Sequence, residues 1–180
     1  MNTNHLKLGL FVTAAISLLT ACNTTPVTPT TQTTTTPNST SPVAVTSNLL
    51  SQKDKAIESS GRLYLSSLAR GQQAFFLEKN KFSSSIDDLG IGIKAEDNNY
   101  LLQIIDTQPK SVNMTATAKQ DNVKSFAASV FVVGNTGSES TIFILCGTDT
   151  PSKTPPTGIT APKSETDKPT CPTGSSPVNN

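Results

Sequence analysis

The chain has 180 residues, of which 34% are hydrophobic, 5% aromatic and 15% charged, a length that supports one domain with flanks. Eight of the nine aromatics fall between Tyr64 and Phe143, whereas the one histidine, His5, and the first lysine, Lys7, sit at the extreme N-terminus. Loss of a leader would leave thirteen basic against thirteen acidic residues and no histidine, which excludes Ser-His-Asp, Cys-His and histidine-metal chemistry and the basic footprint of a nucleic-acid binder.

Leu8 to Ala21 is an uncharged, mostly apolar run of 14 residues. It is shorter than the roughly 20 residues a membrane-spanning helix needs and suits the apolar region of a signal peptide, residues 1–21. The run ends Leu19-Thr20-Ala21-Cys22. Leu-x-Ala-Cys after such a run resembles the lipobox of bacterial lipoproteins. The resemblance implies diacylglycerol on the Cys22 sulfur, cleavage before Cys22, and a further acyl chain such as palmitate on the new amine. Two or three chains anchor a protein stably where one does not. The other reading is an ordinary secretory signal with an incidental cysteine. Asn at position 23, by resemblance to enterobacterial sorting rules, favours the outer membrane, with the domain facing the periplasm or cell surface.

Asn23 to Asn48 holds eleven Thr, four Pro and three Ser with no charged or aromatic residue. Such a segment cannot bury enough apolar surface to offset its ordering entropy. Residues 22–48 therefore read as a lipidated cysteine and a disordered tether, extending at most about 90 Å.

Leu49 to Lys79 reads as a long helix, the start of a folded domain over residues 49–147. Ile57, Tyr64, Leu68 and Phe75 share a stripe, widened by Leu65 and Phe76, and Gly61 within it permits close backbone approach. Asn80 is a stop signal. On the opposite face Ala56, Leu63, Ala74 and Leu77 lie among polar residues. Leu63 and Leu77 are either a partner face or scattered surface apolar residues, which are common.

Four strands follow. Tyr100–Ile105 is a short apolar run, and Val112–Ala118 alternates strictly. Ser125–Val133 places Phe126, Ala128, Val130 and Val132 on one face, and Thr141–Cys146 puts Ile142 and Ile144 together. Gln120-Asp121-Asn122 and Gly134-Asn135-Thr136-Gly137 are turn sequences. The pattern predicts an α+β domain, one amphipathic helix packed on a four-stranded antiparallel sheet. Residues 148–180 read as an irregular Pro/Thr-rich tail. With Cys22 assigned to lipid, Cys146 and Cys171 form an even pair in an oxidising compartment, which predicts a structural disulfide. Two free thiols or a redox pair are the alternatives, and there is no CxxC spacing to support redox work.

Gly71-Gln-Gln-Ala-Phe-Phe-Leu-Glu-Lys-Asn-Lys-Phe82 and Ser85-Ile-Asp-Asp-Leu-Gly-Ile-Gly-Ile93 resemble the type IV pilin-like G/H proteins of cyanobacteria, over about residues 55–146. The resemblance implies a pilin-like head, with the first segment ending the long helix and the second leading to the sheet. Pilins have a basic leader, a Gly/Phe processing site and an apolar polymerisation helix with a glutamate; the lipobox and Thr/Pro spacer stand in its place. Expected partners are the membrane, through Cys22, and pilus or secretion-system proteins. The alternative is an envelope or cell-surface scaffold with no pilus role. No enzyme activity, small-molecule substrate, cofactor, metal or nucleic acid is implied. Asp87-Asp88 and Glu96-Asp97 are paired carboxylates better explained as turn and loop residues than as acid/base or calcium groups. Gly90-Ile-Gly92 lacks the third glycine of a dinucleotide fingerprint, and Ser83-Ser84-Ser85 has hydroxyls without a base.

Overall fold

The computed structural model describes residues 42–178, with side chains from 46 onward. The leader, Cys22 and the tether as far as residue 41 lie outside the described residues. Helix α1 spans Pro42–Lys79, beginning seven residues before the expected Leu49. Residues 42–48 are thus helical rather than tether, and Pro42 occupies the first helical position, where its missing N–H costs nothing. A single 3-10 turn, Asp87–Leu89, leads to strands β1 (Tyr100–Gln108), β2 (Ser111–Ala118), β3 (Phe126–Val133), β4 (Ser140–Thr148) and β5 (Ser175–Pro177). They form one antiparallel meander in sequence order. The sheet therefore has five strands rather than four. The fifth comes from the tail, which returns to pair Ser175 with Thr148 and Pro177 with Cys146.

α1 packs on one face of this sheet. Val112, Met114 and Ala116 of β2 and Phe126, Ala128 and Val130 of β3 lie in one buried cluster with Ile57, Leu65, Leu68 and Phe76 of the helix. The buried stripe is rotated from the expected one. Leu65, Leu68, Ala69 and Gln72 are fully covered, whereas Tyr64 and Phe75 sit half-buried at its edge. Residues expected to widen the stripe are its centre, because the sheet needs a broader face than a single heptad line supplies. Gly61 explains the close fit at the top. A Cβ there would lie 2.5 Å from the Tyr100 ring, so the ring fills the space that any other residue would occupy. Tyr100 is fully buried, and its hydroxyl donates to the Lys124 carbonyl at 2.9 Å.

The other face of the sheet carries Asn113, Thr115, Ala127, Ser129, Ile142, Ile144 and Cys146, which alternate with the helix-facing residues. Ile142 and Ile144 do share a face, and it is this one. Residues 149–174 form a strap of irregular backbone with one internal bridge between Thr160 and Thr170. The Cys146–Cys171 disulfide fastens it to β4. Ser125 fastens its start, donating through Oγ to the Ser152 carbonyl at 2.6 Å while the Ser152 amide donates to the Val123 carbonyl at 3.0 Å. The tail is held to the sheet at several points, the disulfide, the Ser125 and Ser152 hydrogen bonds and the β5 pairing.

Candidate partner-binding face

The helix-to-sheet connection is built by the Gly71-Gln72-Gln73 triplet. Gly71 has room for no side chain without crowding: a Cβ would lie 3.2 Å from Ile91 and 3.4 Å from Leu89. The connection can therefore lie against the helix. Gln72 is fully buried and holds the chain reversal with both ends of its amide. Nε2 donates to the Ser83 carbonyl at 2.8 Å, and Oε1 accepts from the Ser83 amide at 2.9 Å. Gln73 reaches the other way, donating to the carbonyl and hydroxyl of Thr141 on β4 at 3.1 and 3.0 Å. Sequence reasoning picked out these glutamines only through a family likeness. Their periodicity gave no hint that Gln72 is core, because a polar side chain on a buried stripe reads as an interruption.

Asp87 and Asp88 are exposed members of the 3-10 turn, consistent with a turn role. Gly90 closes that turn in the left-handed region at φ 62°. Asp97 departs from the expected solvated loop. It is half-buried, and its Oδ1 accepts from the amides of Asn99 (2.8 Å) and Tyr100 (2.6 Å). Its Oδ2 accepts from the Tyr64 hydroxyl at 3.1 Å. Burial pushes the Asp97 carboxyl up, but the two amides, the Tyr64 hydroxyl and the Lys119 charge outweigh it and hold the group below the usual carboxylate range. The same bond raises the Tyr64 phenol, with burial adding to it. Burial also pushes the Tyr100 phenol up, helped by Glu58 and Asp97. Both tyrosines stay neutral and serve as struts between helix, loop and sheet.

These struts leave an open groove of about 640 Å³ along the flank of α1, between Leu63, Arg70 and Ala74 on the helix and Ile91 and Ile93 on the connection. Leu63 is 64% and Leu77 75% exposed, and Leu49 is 61% exposed on the same helix. The three leucines are separated by 14 residues each. At 100° per residue they drift by only about 40° from one to the next and span roughly 42 Å of helix. Leu63 borders the groove, whereas Leu77 lies one turn beyond it. Among the described residues, no group of His, Cys, Asp and Glu could hold a metal ion, and no helix is long and apolar enough to cross a membrane.

The elements define a class: a long helix laid across an antiparallel meander, its far face closed by a disulfide-bonded C-terminal strap. The family model for type IV pilin-like G and H proteins matches residues 58–172. The chain belongs to that family. The match extends past β4 to residue 172, so the disulfide and the strap as far as that residue fall within the family region, beyond the limits the quoted motifs suggested, while β5 lies outside it. No curated protein and no solved structure matches the chain.

Proposed function

We propose that this protein is a membrane-tethered pilin-like head, a structural and binding module rather than an enzyme, that docks pilus or secretion-system subunits through the exposed face of α1. Lipid on Cys22 supplies the anchor, and the residues between Cys22 and α1 supply reach. The observation that carries the docking part is the line of exposed leucines at 49, 63 and 77 on the helix of a pilin-like domain. A 14-residue repeat is two heptads, and a heptad line suits another helix packed with a left-handed twist. Arg70 in the middle of the line gives the face one fixed charge and hence a preferred register.

Cell fractionation tests both parts. Native protein is expected in membranes, and the Cys22→Ala form is expected in the soluble fraction. Native protein is also expected with sheared pili or with the secretion machinery, and a Leu63→Lys/Leu77→Lys double variant is expected to lose that association while keeping its membrane location. Membrane location with no such association would favour an envelope scaffold instead. Soluble native protein would overturn the anchor.

A further inference from the structure

Arg70 and Glu78 are exposed charges on the outward face of α1, and neither meets an opposite charge of its own chain. Among the described residues the ion pairs are Lys110–Glu139, Lys119–Glu96 and Lys153–Asp121. Three and four residues away along the helix, where side chains meet, Arg70 has Ser66, Ser67, Gln73 and Ala74, and Glu78 has Phe75 and Ala74. None of these carries a charge.

The two charges are eight residues apart, with Ala74 midway. At 100° and 1.5 Å per residue, Arg70 lies about 40° to one side of Ala74 and about 6 Å toward the N-terminus, and Glu78 lies about 40° to the other side and about 6 Å toward the C-terminus. Arg70, Ala74 and Glu78 therefore form one oblique i±4 row. Ala74 is itself exposed, so the middle of the row is low, and Leu77, 75% exposed, stands beside it.

Rows of this kind set how helices cross. In the commonest class, at about −50°, the i±4 rows of the two helices run parallel. Two copies of α1 brought together antiparallel about a two-fold axis at Ala74 then lay the row Arg70-Ala74-Glu78 along Glu78-Ala74-Arg70 of the second copy. Each arginine meets a glutamate, twice over. Ala74 meets its own copy, where a single methyl group lets the backbones approach. Leu77 of both copies falls on the same side of the crossing, so the two side chains cover each other. The face is self-complementary in charge and shape, as an isologous dimer requires. A parallel pair would set arginine against arginine.

We infer that a second copy of this chain occupies this face, the two α1 helices crossing antiparallel at Ala74 with reciprocal Arg70–Glu78 ion pairs. The inference rests on reading the face as a docking surface and names its occupant in the isolated chain; a pilus or secretion-system subunit displaces the second copy from Leu77. A few side chains a copy are a small contact against the roughly 20–30 residues a side of a standard interface, so the pair is weak, half-formed on the order of 50 μM.

The test is sedimentation equilibrium of the full-length chain carrying Cys22→Ala, together with cysteine crosslinking of the otherwise native chain in cells. A monomer–dimer equilibrium is expected. Arg70→Glu alone and Glu78→Arg alone should each weaken dimerisation about tenfold, since each sets like charges together twice. An equimolar mixture of the two variants should recover the native affinity as a heterodimer, because each brings the charge the other lacks. In cells Ala74→Cys should give a disulfide-linked dimer, and Lys53→Cys, far from the crossing on the same helix, should not. A chain still monomeric at about ten times the stated concentration, with no Ala74→Cys dimer, overturns the pair. Dimerisation indifferent to both charge reversals, or variants that fail to recover on mixing, overturn the crossing. Sedimentation uses the chain alone, so it stands apart from the fractionation test: a monomer that associates with pili overturns the pair and not the docking reading, and a dimer without that association does the reverse.

Discussion

Val112, Met114, Phe126 and Val130 meet α1 on one side of the sheet, while Asn113, Thr115, Ala127 and Ser129 alternate with them on the side the strap crosses. The helix side is closed by large apolar side chains that interlock with a regular element. The strap side carries small and polar side chains at Asn113, Thr115, Ala127 and Ser129 beside the larger Phe131, Ile142 and Ile144, and the irregular backbone that crosses it is fastened by a disulfide and a few hydrogen bonds. Burial stabilises the first and covalent linkage the second. The imperfect fit of the second leaves a cavity of about 230 Å³ between the outer face and the Pro155–Ile159 stretch of the strap.

The comparison is broken most severely on the helix side. Leu68→Ala removes a fully buried side chain and should cost about 4 kcal/mol in urea unfolding, the transfer loss plus the void left behind. On the strap side, replacing both Cys146 and Cys171 by Ala should cost about 3.5 kcal/mol, set by the 25-residue separation of the pair. The two losses should differ in kind as well. After cysteine replacement the amides of Thr160 and Thr170 should exchange quickly with solvent while those of β2 and β3 stay protected; after Leu68→Ala protection should fall across the whole sheet.

Gln72→Ala probes the seam between helix and connection. It leaves the Ser83 amide and carbonyl without their side-chain partner and should cost about 2 kcal/mol. A smaller effect comes from acid. The native Asp97 carboxyl lies below its unfolded value, roughly 3.9. Its stabilisation is therefore complete above that value and is lost as pH falls through the native pKa. The urea midpoint of the native chain should drop through this range. The Asp97→Asn variant should start lower at neutral pH and lack that part of the drop. Least affected in stability is Leu63→Lys/Leu77→Lys, expected within about 0.5 kcal/mol of the native chain because both side chains are exposed.

Much of the helix side was legible from residue spacing. A period of 3.6 marks the helix, a period of 2 marks β2, β3 and β4, a short apolar run marks β1, and the apolar residues of β3 name the face that meets α1. What spacing missed has physical causes. The helix start was masked by Thr, Ser and Asn, whose side chains compete with helix formation in isolation. Leu65 and Phe76 looked peripheral because a sheet-wide contact is broader than one heptad line. β5 is only three residues long and owes its pairing to the nearby disulfide, so its own sequence carries no alternation to read. The strap side was the least legible, since a covering made of Pro, Thr and Gly resembles a free tail until its anchor points are known. At the candidate face, the exposure of Leu63 and Leu77 was readable from the helical wheel, while the groove beside Leu63 depends on the connection that Gly71 lets approach.

The docking face is tested most directly by photo-crosslinking in cells, with a photoreactive residue placed in turn at Leu63, at Leu77 and, as a surface control, at Asp121 in the β2–β3 loop. The account predicts adducts containing a pilus or secretion-system subunit at Leu63 and Leu77 and none at Asp121. Membrane-located protein that gives no such adduct from either α1 position, or gives it equally from Asp121, would contradict it.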